Sequence, residues 1–265
     1  MSAITLSTLR AMKKRGEKFA TLTAYDASFS AALESAGVEA ILVGDSLGMV
    51  VQGNSTTVPV TIDETIYHTR CVRQGSRNTL LIADMPFMSD ATPELALANA
   101  ARLMKEGGAQ VVKLEGGAVI VETVRLLGDR GIPVCGHLGL LPQSINKLGS
   151  YRVQGRDEAS AKRLIEDALL LESAGAELLV LECVPAVLAK EVSERLTIPV
   201  IGIGAGADCD SQVLVLYDLL GITAGKRPSF SKNFLAGAES IEAAIAEYVR
   251  QVKSGEFPAA EQIIA

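Results

Sequence analysis

Acidic and basic side chains recur where short, β-rich stretches of this sequence end. Five of them have types suited to catalysis: Asp45, Asp84, Glu115, His137 and Glu182. When parallel strands close into a barrel, their carboxyl ends meet at one mouth, and active sites occur there. We therefore expect these side chains to line one pocket, although they are far apart in the chain.

Four carboxylates in one partly buried mouth repel one another, and burial makes their charge costly. Lys113 supplies one positive charge, and a divalent cation would supply the rest. The proposed ligands are carboxylate oxygens, and no Cys or His pair has the spacing of a zinc site. Hard oxygen ligands favour Mg²⁺, with Mn²⁺ as a possible substitute.

The same donor set indicates a substrate class. Mg²⁺ accepts one or two protein carboxylates and leaves positions open for substrate oxygens. A 2-oxo acid offers a carboxylate and a keto oxygen that can chelate such an ion, which would make the C3 proton acidic and hold the enolate. Each residue alone has a simpler explanation, because an Asp after a strand is commonly a helix N-cap, as we expect for Asp26.

The elements that must position these residues alternate along the chain. The β-rich packets are Phe19–Asp26, Ala40–Ser46, Leu80–Pro86, Val111–Gly116, Pro133–Leu138, Leu178–Val184, Pro199–Gly206 and, more weakly, Val213–Thr223. Helices are expected over Ala27–Ala36, Ile62–Gln74, Pro93–Glu106, Ala118–Arg130, Asp157–Ala174, Pro185–Leu196 and Ile241–Ser254. Such alternation predicts parallel strands with crossover helices. We predict an α/β fold, a single (β/α)8 TIM-barrel domain over residues 1–265 with an N-terminal helix and a C-terminal helical extension.

Two connections between strand and helix are long, Val51–Thr61 and Leu140–Arg156. Long connections in a compact barrel are usually functional. The Gly204-Ala205-Gly206 sequence could cradle a phosphate, but the full dinucleotide fingerprint is missing, which favours a tight βα turn.

Composition excludes several classes of protein. A net charge of −6 and the lack of Trp argue against nucleic-acid binding. No apolar run approaches the ~20 residues that span a bilayer. The four cysteines show no CxxC spacing, which fits reduced thiols in a cytoplasmic protein. The basic N-terminal stretch lacks the apolar core of a signal peptide, and we expect a helix there with Leu6, Leu9 and Met12 facing inward.

Eight stretches, in this order, carry a resemblance to a known family. They are Thr23–Asp26 (TAYD), Leu42–Gly53 (LVGDSLGMVVQG), Ala83–Met88 (ADMPFM), Val112–Gly117 (VKLEGG), Val134–Ser144 (VCGHLGLLPQS), Leu178–Pro185 (LLVLECVP), Ile198–Gly206 (IPVIGIGAG) and Lys232–Leu235 (KNFL). Together they make the chain resemble the ketopantoate hydroxymethyltransferase family over nearly its full length.

This resemblance implies a reaction. The family is a (β/α)8 barrel that transfers a hydroxymethyl group from 5,10-methylenetetrahydrofolate to 3-methyl-2-oxobutanoate through a Mg²⁺-stabilised enolate. The product is 2-dehydropantoate, on the route to pantothenate. The resemblance also implies a cytoplasmic homo-oligomer, often a decamer built from pentameric rings, with the N-terminal helix and Lys253–Ala265 as candidate contact elements.

The resemblance further implies a role for each residue of the site. Asp45 and Asp84 correspond to metal ligands that also contact the substrate, and Glu115 to a third metal-site carboxylate, acting directly or through water. Ser46 corresponds to a contact of the substrate carboxylate. Lys113 corresponds to a substrate contact that balances the enolate charge, Glu182 to the proton acceptor and His137 to a histidine that lines the pocket.

Two alternatives stay open at this point. Another metal–enolate enzyme, a lyase or aldolase acting on a small 2-oxo acid, would use the same chelation. Such a site needs extra cationic residues for a second carboxylate or a phosphate, and the strand ends offer few. A non-catalytic metabolite sensor would lack at least one pocket group, and none is missing.

Overall fold

A computed structural model describes residues 3–263. In this range, eight parallel strands form a closed barrel in sequence order, with β1 pairing with both β2 and β8. The strands are β1 Phe19–Thr23, β2 Ala40–Val43, β3 Leu80–Asp84, β4 Val111–Glu115, β5 Val134–Gly139, β6 Ala176–Glu182, β7 Val200–Ile203 and β8 Ser211–Leu214. The predicted (β/α)8 barrel is confirmed.

The helices surround this barrel, and the first of them covers the end at which the strands begin. They are α1 Leu6–Arg15, α2 Ala27–Ser35, α3 Leu47–Val50, α4 Ile62–Gly75, α5 Pro93–Arg102, α6 Val121–Asp129, α7 Ile145–Leu148, α8 Glu158–Ser173, α9 Ala186–Arg195, α10 Leu216–Leu220 and α11 Ile241–Ser254. The side chains of Asp26, Thr61 and Thr92 each accept a backbone N–H at the start of a helix. The N-cap predicted at Asp26 is therefore confirmed.

The eighth strand differs from the prediction. It lies earlier and is shorter than Val213–Thr223, and Leu216–Leu220 within that packet is the helix α10. The strand begins with two polar residues, and Ser211 Oγ lies 3.0 Å from Thr21 Oγ1 in the barrel interior. An apolar pattern cannot reveal a strand whose first interior contact is a hydrogen bond between hydroxyl groups.

The connection after β7 also differs from the prediction. The Gly204-Ala205-Gly206 sequence was expected to form a tight turn into a helix, but residues 204–210 lead directly to β8. Gln212 Nε2 donates to the carbonyl of Gly206 at 2.9 Å and so fixes the loop against the strand that follows it. The turn therefore replaces a helical crossover at this point of the barrel.

Helix α1 closes the amino-terminal end of the barrel. Leu9 is fully buried in the apolar cluster of the barrel interior, and Leu6 and Met12 pack against the same cluster, as predicted. Lys13 Nζ donates to Asp210 Oδ2 at 2.7 Å, just before β8 begins. The end of the barrel opposite the predicted site is thus sealed by apolar side chains, which leaves the carboxyl end of the strands for chemistry.

Helix α11 fastens the C-terminal region to the seam where the barrel closes. The fully buried Tyr248 places its hydroxyl 2.9 Å from the carbonyl of Thr21 in β1 and 2.8 Å from that of Gln212 in β8. Phe234 and Phe257 pack edge-on against the same ring.

No helix within residues 3–263 is long and apolar enough to cross a membrane.

Candidate active site

The turn after β2 brings the first two acids together. The backbone N–H of Asp45 donates to Asp84 Oδ2 at 2.9 Å, and both residues are buried. A Cβ at Gly44 would lie 3.0 Å from Ser46 Oγ, so the glycine leaves room for that hydroxyl beside the turn. The strand ends β2 and β3 therefore present their carboxylates side by side.

Lys113 is the cation at the centre of the site. Its ammonium group lies 3.2 Å from Asp84 Oδ1 and 3.2 Å from His137 Nδ1, and the residue is only 4% exposed. Burial alone would lower the pKa of this lysine, but the charges of Asp84 and Glu115 outweigh it and raise the pKa above the ordinary value. Lys113 is therefore charged at neutral pH.

His137 lies between the lysine and the last acid of the site. Burial and the charge of Lys113 lower its pKa, so the imidazole is neutral. An ammonium group can only donate, so Nδ1 accepts and the ring proton is on Nε2. Nε2 lies 3.3 Å from Glu182 Oε2, so its N–H is close to that carboxylate but lacks the alignment of a good hydrogen bond.

The carboxyl groups of the site all have raised pKa values. Burial, followed by the charge of Glu115, raises the pKa of Asp45 to about 6. Burial likewise raises the pKa of Asp84 to about 6 and that of Glu115 to about 7, against the opposing effect of Lys113. Burial also raises the pKa of Glu182, which His137 partly offsets. A further positive charge would bring these values down again.

The arrangement of the acids can accommodate a further cation. Asp84 Oδ1 and Glu115 Oε1 are buried, and neither accepts a well-aligned hydrogen bond from the residues that the structure describes, although Lys113 Nζ lies 3.2 Å from the first and His137 Nδ1 lies 3.3 Å from the second. Within residues 3–263, no three His, Cys, Asp or Glu side chains converge into a ready-made metal cage. This arrangement suits a cation that takes one or two carboxylates and completes its shell with water or substrate, as Mg²⁺ does.

Ser46 and Tyr25 form a pair at the rim of the site. The Tyr25 hydroxyl lies 2.8 Å from Ser46 Oγ, and Tyr25 is buried at the end of β1. Sequence reasoning picked Ser46 but missed Tyr25, although TAYD was among the family stretches. The signal that could have revealed it was its position two residues after a strand, as for Asp45.

Gln143 is the second residue that sequence reasoning missed. It comes from the long connection after β5, and its Nε2 donates to Asp45 Oδ2 at 3.0 Å and to the carbonyl of Met85 at 2.9 Å. Its backbone N–H donates to Glu115 Oε2 at 3.2 Å. The sequence signals were the unusual length of its connection and its place in the family stretch Val134–Ser144. All seven predicted site residues lie in one mouth or at its rim. Gln143, which was not predicted, lies between them.

A closed eight-stranded parallel barrel with a lysine and four carboxyl groups at its carboxyl end defines the class of TIM-barrel enzymes. A sequence model of ketopantoate hydroxymethyltransferase matches residues 3–260. The chain therefore belongs to the ketopantoate hydroxymethyltransferase family.

Individual relatives agree with this assignment. The chain is 60% identical to the 3-methyl-2-oxobutanoate hydroxymethyltransferase of Nitrosococcus oceani, covering 98% of this chain and 99% of the relative. It is 57% identical to the enzyme of the same name from Shewanella denitrificans, covering 100% of both chains. Both alignments run through the whole barrel.

Solved structures share the fold at much lower identity. A phosphonopyruvate hydrolase superposes with a TM-score of 0.63 at 13% identity, covering 98% of this chain and 99% of that chain. Another phosphonopyruvate hydrolase structure, in complex with oxalate and Mg++, gives 0.61 at 13% identity over 79% and 80%. A 2,3-dimethylmalate lyase gives 0.59 at 16% identity over 83% of each chain. These likenesses concern the fold alone.

Proposed function

We propose that this chain transfers a hydroxymethyl group from 5,10-methylenetetrahydrofolate to 3-methyl-2-oxobutanoate, giving 2-dehydropantoate. Relatives that match over the whole chain are named for this reaction. The observation that carries the proposal is that the acids of the site fall into two groups. Gln143 joins Asp45 to Glu115 and Asp84 lies beside Lys113, whereas Glu182 lies on the opposite, Nε2 side of His137.

Asp45 and Asp84 would hold a divalent cation directly, with Glu115 acting through water. When bound, the ion would polarise the keto oxygen of the substrate as a Lewis acid. A structure of the same fold binds Mg++ together with oxalate, which presents two adjacent oxygens as a 2-oxo acid does. Mg²⁺ is our choice, with Mn²⁺ as a substitute, because the donors are hard oxygens.

Ser46 and Lys113 would orient the substrate. Ser46 Oγ, supported by the Tyr25 hydroxyl, can donate to the substrate carboxylate. The buried ammonium of Lys113 offsets the negative charge that develops when the C3 proton leaves. With His137 neutral, Lys113 is the one cationic side chain among the predicted site residues, so we propose that it sets the charge balance of the mouth.

Glu182 would accept the C3 proton. Its raised pKa suits proton transfer near neutral pH, and its side chain is 15% exposed, so it can reach a substrate in the mouth. Water adds to the methylene carbon of the folate, and both bonds from that carbon to the folate nitrogens break, so the carbon is released at the oxidation level of formaldehyde and each nitrogen takes a proton. The C3 carbanion forms the new carbon–carbon bond to this carbon, and the oxygen that came from water takes a proton and becomes the hydroxyl group of the product.

Exchange of the C3 hydrogen isolates this first step. With Mg²⁺ and 3-methyl-2-oxobutanoate in deuterated water, and without folate, the native protein should exchange that hydrogen. Glu182→Gln should slow exchange by about 10²- to 10⁴-fold, as expected for a lost general base. The matched control is Glu194→Gln on the exposed surface of α9, which should exchange as the native protein does. Full exchange in Glu182→Gln would refute the assignment of the base.

We also propose a cytoplasmic homo-oligomer of ten subunits. The four cysteines are free, which suits a reducing compartment. Leu169 and Leu170 are exposed side by side on α8, and burial against another subunit would remove this apolar surface from water. Light scattering of the purified chain should give ten times the mass of one chain, and a monomer would contradict the proposal.

A further inference from the structure

Gln143 contacts more of the acidic centre than any role proposed so far explains. Both hydrogens of its side-chain amide are used, one for Asp45 Oδ2 and one for the carbonyl of Met85. Its backbone N–H donates to Glu115 Oε2. One residue therefore bridges the carboxyl ends of β2, β3 and β4. We propose that Gln143 is a positioning residue that orients the carboxylates of Asp45 and Glu115 for the cation.

The chemistry of the amide suits this role. Asp45 Oδ2 and Glu115 Oε2 both contact Gln143, so two like charges lie close together in a buried site and repel each other. A neutral donor between them satisfies one oxygen of each carboxylate without competing as a charge for the cation. Glu115 Oε1 stays without a hydrogen bond, as does Asp84 Oδ1. Gln143 thus fixes one oxygen of Asp45 and one of Glu115, and leaves Glu115 Oε1 without a hydrogen bond.

The connection that carries Gln143 is held to the barrel near both of its ends. Its first residue, Leu140, donates its N–H to the carbonyl of Glu182 at 2.8 Å, and near its end Gln154 donates to the carbonyl of Cys183 at 2.9 Å. Gln143 ties the part between these two points to the acids. Partners that support a metal ligand from outside are worth about 10- to 100-fold in metal affinity.

The inference rests on the proposed function, because it needs a cation at these acids. It predicts that Gln143→Leu, which keeps the bulk and removes the amide donors, weakens binding of Mn²⁺ about 10-fold or more. The probe is Mn²⁺ alone, titrated into the metal-free full chain and followed by electron paramagnetic resonance. Unchanged circular dichroism and thermal unfolding would show that the variant folds.

A matched control lies in the same connection. Gln154 directs its amide to the carbonyl of Arg152 near the surface, so Gln154→Leu should bind Mn²⁺ as the native chain does. Equal or tighter binding by Gln143→Leu would overturn the inference and leave the proposed function intact. If the native chain bound no Mn²⁺, both would be overturned, because Gln143 would have no cation-binding carboxylates to position. If Gln143→Leu failed to fold, Gln143→Ala and Gln143→Asn would be measured against the same control.

Discussion

Gly139 allows the backbone of β5 to pass close to that of Glu182, and an alanine there should damage the site. A Cβ at Gly139 would lie 2.1 Å from the carbonyl oxygen of Glu182 and 2.8 Å from Val184 Cγ1, and the residue has φ +93°. Ordinary contact begins at 3.4 Å, so the Glu182 backbone would have to move by roughly 3.4 − 2.1 = 1.3 Å. A displacement of about 1 Å can cost on the order of 10²-fold in rate.

We therefore expect Gly139→Ala to lower C3 exchange by about 10²-fold. Overpacking should also reduce the free energy of unfolding by about 1–3 kcal/mol. Gly131→Ala is the control, since Gly131 has φ +76° but open space at its Cβ position. It carries the backbone strain without the collision, so it should lose some stability and keep its exchange rate. Native-like exchange in Gly139→Ala would refute the reasoning that Glu182 depends on this close approach.

Two further predictions concern stability. Although burial raises the pKa of Glu34, the backbone N–H groups of residues 77–79 outweigh it and hold the pKa below the ordinary value. Its contribution is therefore present above the ordinary pKa of glutamate and is lost as the pH falls through the folded-state pKa. Glu34→Gln should cost about 1 kcal/mol at neutral pH after solvent screening. Urea unfolding should show this difference shrinking below about pH 4, and a constant difference would contradict it. Tyr248→Phe removes the hydroxyl between Thr21 and Gln212, so the free energy of unfolding should drop by about 1–2 kcal/mol. The rate of C3 hydrogen exchange per folded molecule should stay unchanged. Equal stability would show that the hydroxyl does not secure the barrel seam.

The acids of the site could be predicted from sequence because they share one local property. Asp84 and Glu115 are the last residues of their strands, Asp45 is the second residue after its strand, and parallel strands bring all such ends to one mouth. Barrel geometry therefore converts positions in the chain into proximity without any knowledge of the loops.

Gln143 could not be predicted in this way. It belongs to a 3₁₀ turn, Pro142–Ser144, whose path across the mouth depends on contacts with three other strand ends. No periodicity encodes such a path, and a glutamine has many uses in a loop. The eighth strand was misplaced for a related reason. Ser211 and Gln212 are buried and make polar contacts there, but in the sequence they look like surface residues.

The central claim is the transfer of a one-carbon unit to 3-methyl-2-oxobutanoate. Its most direct test uses 5,10-methylenetetrahydrofolate labelled with ¹³C at the methylene carbon, with Mg²⁺ and the oxo acid, followed by nuclear magnetic resonance. We predict that the label appears in the hydroxymethyl group of 2-dehydropantoate and that chelation of the metal abolishes its appearance. Unlabelled oxo acid after complete incubation, with cleavage of a dicarboxylic 2-oxo acid in a parallel reaction, would contradict the claim and favour a lyase.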